Sequence, residues 1–559
     1  MRLPGSLRLA LLLLCAILVL LGFIPDASAS AYNARPKLVV VIVIDQFRGD
    51  YLERYRDQFG DGGFRVFLDR GAYFTDCNYD YADTRTAPGH ATLFTGSYTS
   101  EHGIVANEWW DPQKKKRVTS VEDDTTKLVG VGVSKTGPGA SPHNLLSDTL
   151  GDELKLATGG RARVFAISLK DRAAVLPAGY AGDAAYWIDP KSGDWITSTY
   201  YRPDLPEWVR NFNGGHRAEK FWNREWKDSD GNALGSTAPR NAKDGTPAGF
   251  YEVVGSTPFA NDYQLEFAKE LVLYEKLGAG SATDLLVISL SANDILGHQV
   301  GPDSAQMRSM ALELDRSLAE FFDFLRHQIG MANVWMALSA DHGVAPLPEF
   351  AKTLRLPAAN LDAKALREQI NSLLAKKYAK KADYVLDLDY PLAWLDKDAF
   401  VGTVGAKDES VAEGEVGEAM KQAGFTGYFT KSQLARGDIP STEIGRRYAH
   451  SYSPEGGYYV IGIPAPFSVG ITTGTDHATP FSYDTHVPLA FYGLAFQPGL
   501  YRTHAEPVDL AVTLASLLGI NAPAKATGRV LIEALQPPRH PTTPFSAPPA
   551  AAPPAGGTQ

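Results

Sequence analysis

The stretch Lys37-Leu-Val-Val-Val-Ile-Val-Ile-Asp45 decides the fold, because it is a continuous apolar, β-branched run that ends in a carboxylate. Strands buried on both faces have this composition and are typical of parallel sheets covered by helices. Three further runs repeat the pattern, at 163–170, 284–294 and 333–342. The sequence therefore predicts an α/β fold with a mostly parallel central sheet and helices on both faces.

Each of these runs ends in polar side chains. They are Asp45, Lys170, Asp294 and the pair Asp341-His342. Open α/β sheets bind their ligands beyond the carboxyl ends of the strands. Four runs that deliver charged groups to the same edge of a sheet therefore predict one functional site.

Two segments interrupt the alternation of strands and helices within the predicted catalytic domain, 36–535. They are 180–261, which is rich in glycine, asparagine and aromatic residues, and 347–470, which contains a charged helical pattern around 363–381. We interpret both as insertions. Either could wall the site or form a separate lobe, and we favour a cap role for the first.

The two ends of the chain read as segments outside the fold. Residues 1–29 join two arginines, an apolar run and Ala27-Ser-Ala29, which predicts a signal peptide and an exported, periplasmic or secreted protein. Membrane attachment would require that this signal stay uncleaved. Residues 537–559 contain eight prolines and are predicted to be a disordered tail. Without the signal, Cys77 is the only cysteine, so no intramolecular disulfide is expected.

The net charge of −10 over 559 residues argues against nucleic acid as the main partner, since a phosphate backbone calls for a basic face. An anionic substrate must then be held by local cations or by metals. The stretch Asp83-Thr-Arg-Thr86-Ala-Pro-Gly-His90 predicts a loop that turns into a helix, with Thr86 just ahead of the helix N-terminus. Such a position favours an anion, although an N-cap threonine would look the same.

A set of nitrogen and oxygen ligands without thiolate can be assembled from the sequence. Its members are Asp45, Asp294, His298, Asp341, His342 and His486. Asp294 and His298 are four residues apart, and Gly343 suits the bend that Asp341 and His342 need. Six such ligands suit two Zn²⁺ ions with open positions for substrate and nucleophile. A coordinated zinc ion would make Thr86 a competent nucleophile, so we expect a covalent phosphothreonine.

Two cations distinguish between phosphate esters. Lys170 and Arg172 are two residues apart and would point to one side of an extended segment. A phosphate monoester carries up to two negative charges and a diester one, so added cations favour the monoester. Asn107 could donate a hydrogen bond to the same phosphoryl group. A solvated charged turn is the alternative interpretation of the two cations.

Together these motifs resemble the alkaline phosphatase superfamily, and within it the PafA-like alkaline phosphatases, over roughly 36–519. The resemblance implies that Asp45, Asp341, His342 and the Thr86 oxygen hold one zinc ion, and that Asp294, His298 and His486 hold the other. It further implies that Thr86 is the nucleophile. Asn107, Lys170 and Arg172 would bind the phosphoryl group. His477 receives no role beyond a structural one.

These inferences predict an exported, zinc-dependent alkaline phosphatase that acts as a monomer on small-molecule phosphate monoesters. The nearest alternative is a phosphodiesterase or nucleotide pyrophosphatase on the same scaffold. A sulfatase is disfavoured, because no cysteine or serine stands in the required Cys/Ser-x-Pro-x-Arg context. A secreted metal-binding protein with an inactive site is the alternative outside enzymology.

Overall fold

The seven residues of the first strand, Leu38–Ile44, are completely buried, as their uninterrupted apolar side chains require. The computed structural model describes residues 35–536 except 131, 133–136, 239–248, 404–407 and 458. The predicted signal peptide, 1–29, and the predicted tail, 537–559, lie outside the described residues. Arg35–Leu535 form one compact unit.

The strands are numbered along the chain. They are β1 Leu38–Ile44, β2 Ala72–Phe74, β3 Glu108–Asp111, β4 Lys116–Thr119, β5 Glu122–Asp123, β6 Leu128–Val129, β7 Gly139–Ala140, β8 Val164–Ser168, β9 Ala184–Ile188, β10 Trp195–Ser198, β11 Glu225–Lys227, β12 Ala233–Ser236, β13 Asp284–Leu290, β14 Val334–Ser339, β15 Ala359–Asn360, β16 Val385–Asp389, β17 Leu392–Leu395, β18 Gly427–Thr430, β19 Tyr459–Ile463, β20 Ser468–Val469, β21 Leu489–Tyr492 and β22 Gly499–Tyr501.

Ten of the strands in the described part of the chain form the main sheet, in the order β22-β2-β21-β14-β1-β13-β8-β9-β10-β6. The five central strands, β14-β1-β13-β8-β9, are parallel, and β1 pairs in register with both β13 and β14. The strands β21, β10 and β6 add antiparallel pairings towards the two sides. The predicted α/β fold is confirmed, with a parallel centre inside a mixed sheet.

Helices surround this sheet, and polar loops connect them to its strands. The α-helices are Tyr51–Arg54, Arg65–Arg70, Thr86–Thr95, Thr99–His102, Leu150–Ala157, Asp171–Ala178, Glu207–Gly214, Phe250–Gly255, Pro258–Tyr274, Ala292–Val300, Ala305–Gln328, Pro348–Thr353, Ala363–Tyr378, Glu409–Gln422, Lys431–Arg436, Glu443–His450, Ser482–Thr485 and Asp509–Leu518. Within the described residues, no helix combines the length and apolarity that crossing a membrane would need.

The predicted first insertion, 180–261, begins inside the main sheet. Strand β9 pairs in parallel with β8, and β10 continues the sheet beside it. The run Ala184–Ile188 is apolar but only five residues long, so its strand character is masked by the glycines and aromatic residues around it. Only the later part of this segment, with helix Glu207–Gly214 and the hairpin β11-β12, lies outside the sheet.

The second predicted insertion, 347–470, contains a small sheet of its own, in the order β16-β17-β19-β18. Helices Ala363–Tyr378 and Glu409–Gln422 pack on this sheet, and their buried residues form a hydrophobic cluster distinct from the main core. We refer to these strands and the two helices as the inserted lobe. Its turn between β16 and β17 reaches the polar edge of the main sheet, as shown below.

Candidate active site and metal centre

The first cluster of candidate metal ligands follows two adjacent parallel strands. Asp45 comes directly after β1, and Asp341 and His342 follow β14. One ligand atom from each lies within 4.8 Å of the others, and all three residues are completely buried. His342 Nε2 is 3.5 Å from Asp45 Oδ1 and 3.6 Å from Asp341 Oδ2. We call Asp45, Asp341 and His342 the strand cluster.

The strand cluster has the chemistry of a cation site. His342 Nδ1 lies 2.9 Å from the Gly343 carbonyl oxygen, to which it donates, so Nε2 carries the lone pair that faces the carboxylates. Both His342 Nε2 and Asp45 Oδ1 are buried without a hydrogen-bond partner among the described residues. Buried polar atoms without partners are costly. A metal ion bound by these atoms would satisfy both of them.

The second cluster combines a helix with a loop. Asp294 and His298 lie one turn apart on helix Ala292–Val300, with Asp294 Oδ1 3.1 Å from His298 Nε2. His477 completes the group, with its Nε2 3.9 Å from Asp294 Oδ1. The two rings donate through Nδ1 to the carbonyls of Thr475 and Thr84, which leaves Nε2 as the ligand atom. We call Asp294, His298 and His477 the helix cluster.

The two clusters adjoin. The rings of His342 and His477 stack with their centroids 3.7 Å apart. Burial lowers the pKa of each of these imidazoles below its usual value, and the neutral form is the one that binds metals. Two groups of three nitrogen and oxygen ligands side by side fit a site for two metal ions.

The structure places His486, which the sequence predicted as a metal ligand, apart from the two groups of candidate ligands. The His486 ring lies against Gly49, and its Nε2 is 3.0 Å from the Thr75 carbonyl oxygen, so this nitrogen serves as a hydrogen-bond donor. His486 lies outside both clusters, and His477 stands where a third ligand was expected. Sequence reasoning missed His477, although the pair Asp476-His477 repeats the pair Asp341-His342 and could have indicated it.

Thr86 is the first residue of helix Thr86–Thr95 and is almost completely buried. Its position at the helix N-terminus agrees with the prediction. The Asn107 side chain is fixed beside it, since Asn107 Oδ1 accepts a hydrogen bond of 2.8 Å from the Ala87 N–H. This helix also meets the strand cluster without clearance: a Cβ on Gly89 would lie 2.3 Å from the Asp341 carbonyl oxygen.

Lys170 links the hydroxyl of Thr86 to both clusters. Its Nζ lies 2.6 Å from Asp45 Oδ2, 2.5 Å from Asp294 Oδ2 and 3.4 Å from Thr86 Oγ1. Burial alone would lower the pKa of this ammonium, but Asp294 and Asp45 raise it above its usual value. A permanent positive charge therefore lies beside the hydroxyl.

Arg172 is brought near by a helix rather than by an extended segment. The chain leaves β8 at Ser168, and Lys170 is the N-cap of helix Asp171–Ala178, so Arg172 lies in the first helical turn. Its Nε is buried without a hydrogen-bond partner among the described residues. The Lys170–Arg172 pair is thus oriented by a helix start, which differs from the predicted geometry.

The carboxylates of the site outnumber its cations. Burial raises the pKa of Asp45 well above its usual range, and repulsion from Asp294 and Asp341 adds to this, while Lys170 acts in the opposite sense. An ion of higher charge between these carboxylates would remove both penalties. The electrostatics therefore agree with the ligand geometry in indicating a metal centre.

The inserted lobe reaches the site through Arg85, the N-cap of the Thr86 helix. Arg85 Nε donates to Asp83 at 2.8 Å, its Nη1 contacts the carboxylate of Asp389, and its Nη2 donates to the Tyr390 carbonyl at 2.7 Å. A cavity of about 350 Å³ lies between lobe and clusters. Asn107, His298, His477 and Tyr390 are among the residues that line it. The predicted cap role therefore suits the second insertion better than the first.

With the geometry in place, comparison with known proteins defines the class. Residues 39–419 match the family described as type I phosphodiesterase / nucleotide pyrophosphatase. The chain belongs to this family.

Within it, the chain is similar to alkaline phosphatases. It is 33% identical over 524 residues to alkaline phosphatase PhoV of Synechococcus elongatus, covering 90% of this chain and 94% of that protein. It is 32% identical over 549 residues to alkaline phosphatase PafA of Elizabethkingia meningoseptica, covering 93% and 98%. A crystal structure of wild-type alkaline phosphatase PafA matches with a TM-score of 0.81 at 30% identity, covering 90% of this chain and 99% of that one. The predicted resemblance is confirmed, and with it the enzyme class of phosphoric monoester hydrolases.

Proposed function

We propose that this alkaline phosphatase hydrolyses small-molecule phosphate monoesters with two Zn²⁺ ions and a covalent phosphothreonine at Thr86. The observation that carries the proposal is the position of Lys170, whose ammonium is within hydrogen-bonding distance of the Thr86 hydroxyl and of one carboxylate from each cluster. The Thr86 hydroxyl lies beside the positively charged Lys170 and the two clusters of candidate metal ligands. A hydroxyl in such a position is suited to attack an anionic phosphoryl group.

The donor set supports zinc as the metal. The strand cluster offers two carboxylates and one imidazole, and the helix cluster offers one carboxylate and two imidazoles. Imidazole nitrogen suits zinc and makes magnesium alone a poor match. When bound, the ions would supply Lewis acidity at the phosphoryl oxygens and lower the pKa of the coordinated hydroxyl.

The side chains of this chain account for the remaining steps. Thr86 Oγ1 loses its proton to solvent and forms a bond to phosphorus while the bond from phosphorus to the leaving oxygen breaks, and the leaving oxygen takes up a proton from solvent. Water then attacks phosphorus and breaks the bond from phosphorus to Oγ1, which releases inorganic phosphate and restores the Thr86 hydroxyl. Asn107, held by Ala87, donates to a nonbridging oxygen. Lys170 and Arg172 compensate the second negative charge that distinguishes a monoester from a diester.

Thr86→Ala tests the covalent step, with Thr86→Ser as the matched control that keeps a hydroxyl. We expect Thr86→Ala to lose nearly all turnover of an aryl phosphate monoester and to retain both metal ions, because six ligands come from other residues. Turnover, metal content and phosphate incorporated from substrate would be measured on each protein. Normal turnover by Thr86→Ala would remove this residue from the mechanism.

Lys170→Ala distinguishes the proposed phosphomonoesterase from the phosphodiesterase alternative. If the cation serves the second negative charge, turnover of an aryl phosphate should fall at least tenfold more than turnover of the corresponding bis-aryl diester, since a charge-assisted hydrogen bond contributes about 1.5–3 kcal/mol. Wild-type preference for the diester, or an equal loss for both substrates, would favour the phosphodiesterase alternative.

Export and a monomeric state complete the proposal. The charged, apolar and small-residue pattern of 1–29 supports export to the periplasm or medium. Because one chain supplies the nucleophile, both clusters and both cations, catalysis requires no second subunit.

A further inference from the structure

Gln46 connects a carboxylate of one cluster with a carboxylate of the other. It follows Asp45 directly and is completely buried. Its backbone N–H donates to Asp341 Oδ1 at 3.0 Å, and its side-chain Nε2 donates to Asp294 Oδ1 at 2.8 Å. A single residue therefore bonds to the strand cluster through its main chain and to the helix cluster through its side chain.

The backbone of Gln46 is bent to allow this. Its φ of 62° lies in the left-handed region, which is unfavourable for a residue with a side chain relative to the right-handed conformation. Glycine would adopt this conformation without that cost. A glutamine is placed here at the expense of backbone strain, and its side chain is the part that glycine would lack.

Gly297 makes room for the amide. It lies within helix Ala292–Val300, between Asp294 and His298, where glycine is a poor helix former. A Cβ at this position would lie 2.0 Å from Gln46 Oε1. The absence of a side chain at Gly297 thus leaves the space that the Gln46 amide occupies.

We propose that Gln46 is a positioning residue, which fixes the Asp294 carboxylate relative to Asp341 and so sets the spacing of the two metal sites. Carboxylates that accept hydrogen bonds from neighbouring groups are held in the orientation that binds metal, and losing such a partner typically costs 10–100-fold in affinity. The inference rests on the proposed two-metal function and adds to it a residue that touches neither substrate nor metal.

The Gln46→Gly variant tests the role of the Gln46 side chain separately from that of its backbone. It keeps the backbone donor to Asp341, relieves the positive φ and removes only the bond to Asp294. In a competition titration of the full-length protein with Zn²⁺ and a chromophoric chelator, we expect the affinity of one site to fall 10–100-fold and that of the other to stay within a few-fold. We expect kcat to fall more than KM rises.

Asn213→Ala provides the matched control for the loss of a buried amide. Asn213 holds the backbone of Trp195 through both atoms of its amide group. We expect this variant to have a lower melting temperature and unchanged zinc affinities. A merely structural role of Gln46 would give the same pattern in Gln46→Gly, which would overturn the inference.

Gly297→Ala gives an independent test through the opposite change. The added methyl group favours the helix but occupies the position of the Gln46 amide, so zinc affinity at the helix cluster should again fall 10–100-fold. In the double variant the two losses should not add, because the methyl group displaces a side chain that is already gone. Additive losses, or wild-type affinity in Gly297→Ala, would contradict the proposal.

The outcomes separate this inference from the function on which it rests. A wild-type protein that binds no zinc would refute the two-metal function. A wild-type protein that binds two ions, with a Gln46→Gly variant that binds them equally well, would refute only the role of Gln46. If Gln46→Gly fails to fold, Gly297→Ala alone decides.

Discussion

The strand cluster and the helix cluster contain three candidate metal ligands each, but the chain delivers them differently. The strand cluster is built from the ends of two adjacent parallel strands, and its side chains are completely buried. The helix cluster takes two ligands from a helical turn and one from an irregular loop, and the His298 side chain is 31% exposed. The sheet fixes the positions of the side chains at its strand ends. The positions of the side chains in the helix cluster depend instead on contacts that the chain makes after it has left the sheet.

Complete removal of metal is the largest expected effect. Dialysis against a chelator should abolish phosphatase activity. The metal should leave in two phases, because the helix cluster, with its partly exposed His298, releases its ion before the completely buried strand cluster does. Metal content by mass spectrometry and residual activity would be followed over time, with Zn²⁺ added back as the control. Simultaneous release of both ions would show that the difference in burial has no kinetic consequence.

The next prediction tests whether His477 is the third metal ligand of the helix cluster. His477→Ala should weaken zinc binding at one site by about 100-fold, since structural zinc sites gain about 10–16 kcal/mol from four ligands and one ligand accounts for roughly 3 kcal/mol. Affinity would be measured by competition with a chelator.

His486→Ala is the matched control for His477→Ala. Its ring donates to the Thr75 carbonyl and lies outside both clusters, so both zinc affinities should stay within a few-fold of wild type. If His486→Ala lost zinc and His477→Ala kept it, the geometric assignment would be wrong.

The same contrast explains what the sequence could predict. Asp45, Asp341 and His342 follow long buried strands, and apolar runs of this kind are the clearest signal in a single sequence. Asp294 and His298 could be predicted because a helical turn places residues four apart on one face. The third candidate ligand of the helix cluster comes from a loop without periodicity, where the Asp-His pair at 476–477 is the one local feature that distinguishes His477 from His486.

The fold, like the site, could be predicted where the sequence contains long apolar runs. Four of the five central strands, β1, β8, β13 and β14, are predictable from their apolar runs. The fifth, β9, and its neighbour β10 are short and lie among glycines and aromatic residues, so the sequence indicates an insertion there. The contact between Arg85 and Asp389 joins residues 304 apart in the sequence, and tertiary contacts of this kind have no local signature.

The variant with the smallest expected effect tests whether the inserted lobe influences Thr86, the proposed nucleophile, rather than either cluster. Asp389→Asn removes one of the two carboxylate charges that hold Arg85 but leaves an oxygen that can accept its hydrogen bond, so kcat should fall about tenfold or less, which corresponds to about 1.4 kcal/mol, while zinc affinity stays unchanged. Asp387→Asn on the same strand is the control, because Asp387 pairs with Arg117, which also lies 3.7 Å from Asp389, and the comparison therefore separates the Arg85 contact from the Arg117 contacts. Equal effects of both variants would argue for a general loss of lobe stability.

The contact at Gly89 limits how freely the helix that carries Thr86, the proposed nucleophile, can move. Because the helix that carries Thr86 touches the backbone at Asp341 there, the two cannot slide past each other without collision, and rotation about the Thr86 side-chain bond is the main freedom left to its oxygen. Even one extra methyl group at this glycine would wedge the helix away from the strand. In the proposed mechanism, main-chain packing would therefore fix the position from which the Thr86 oxygen attacks.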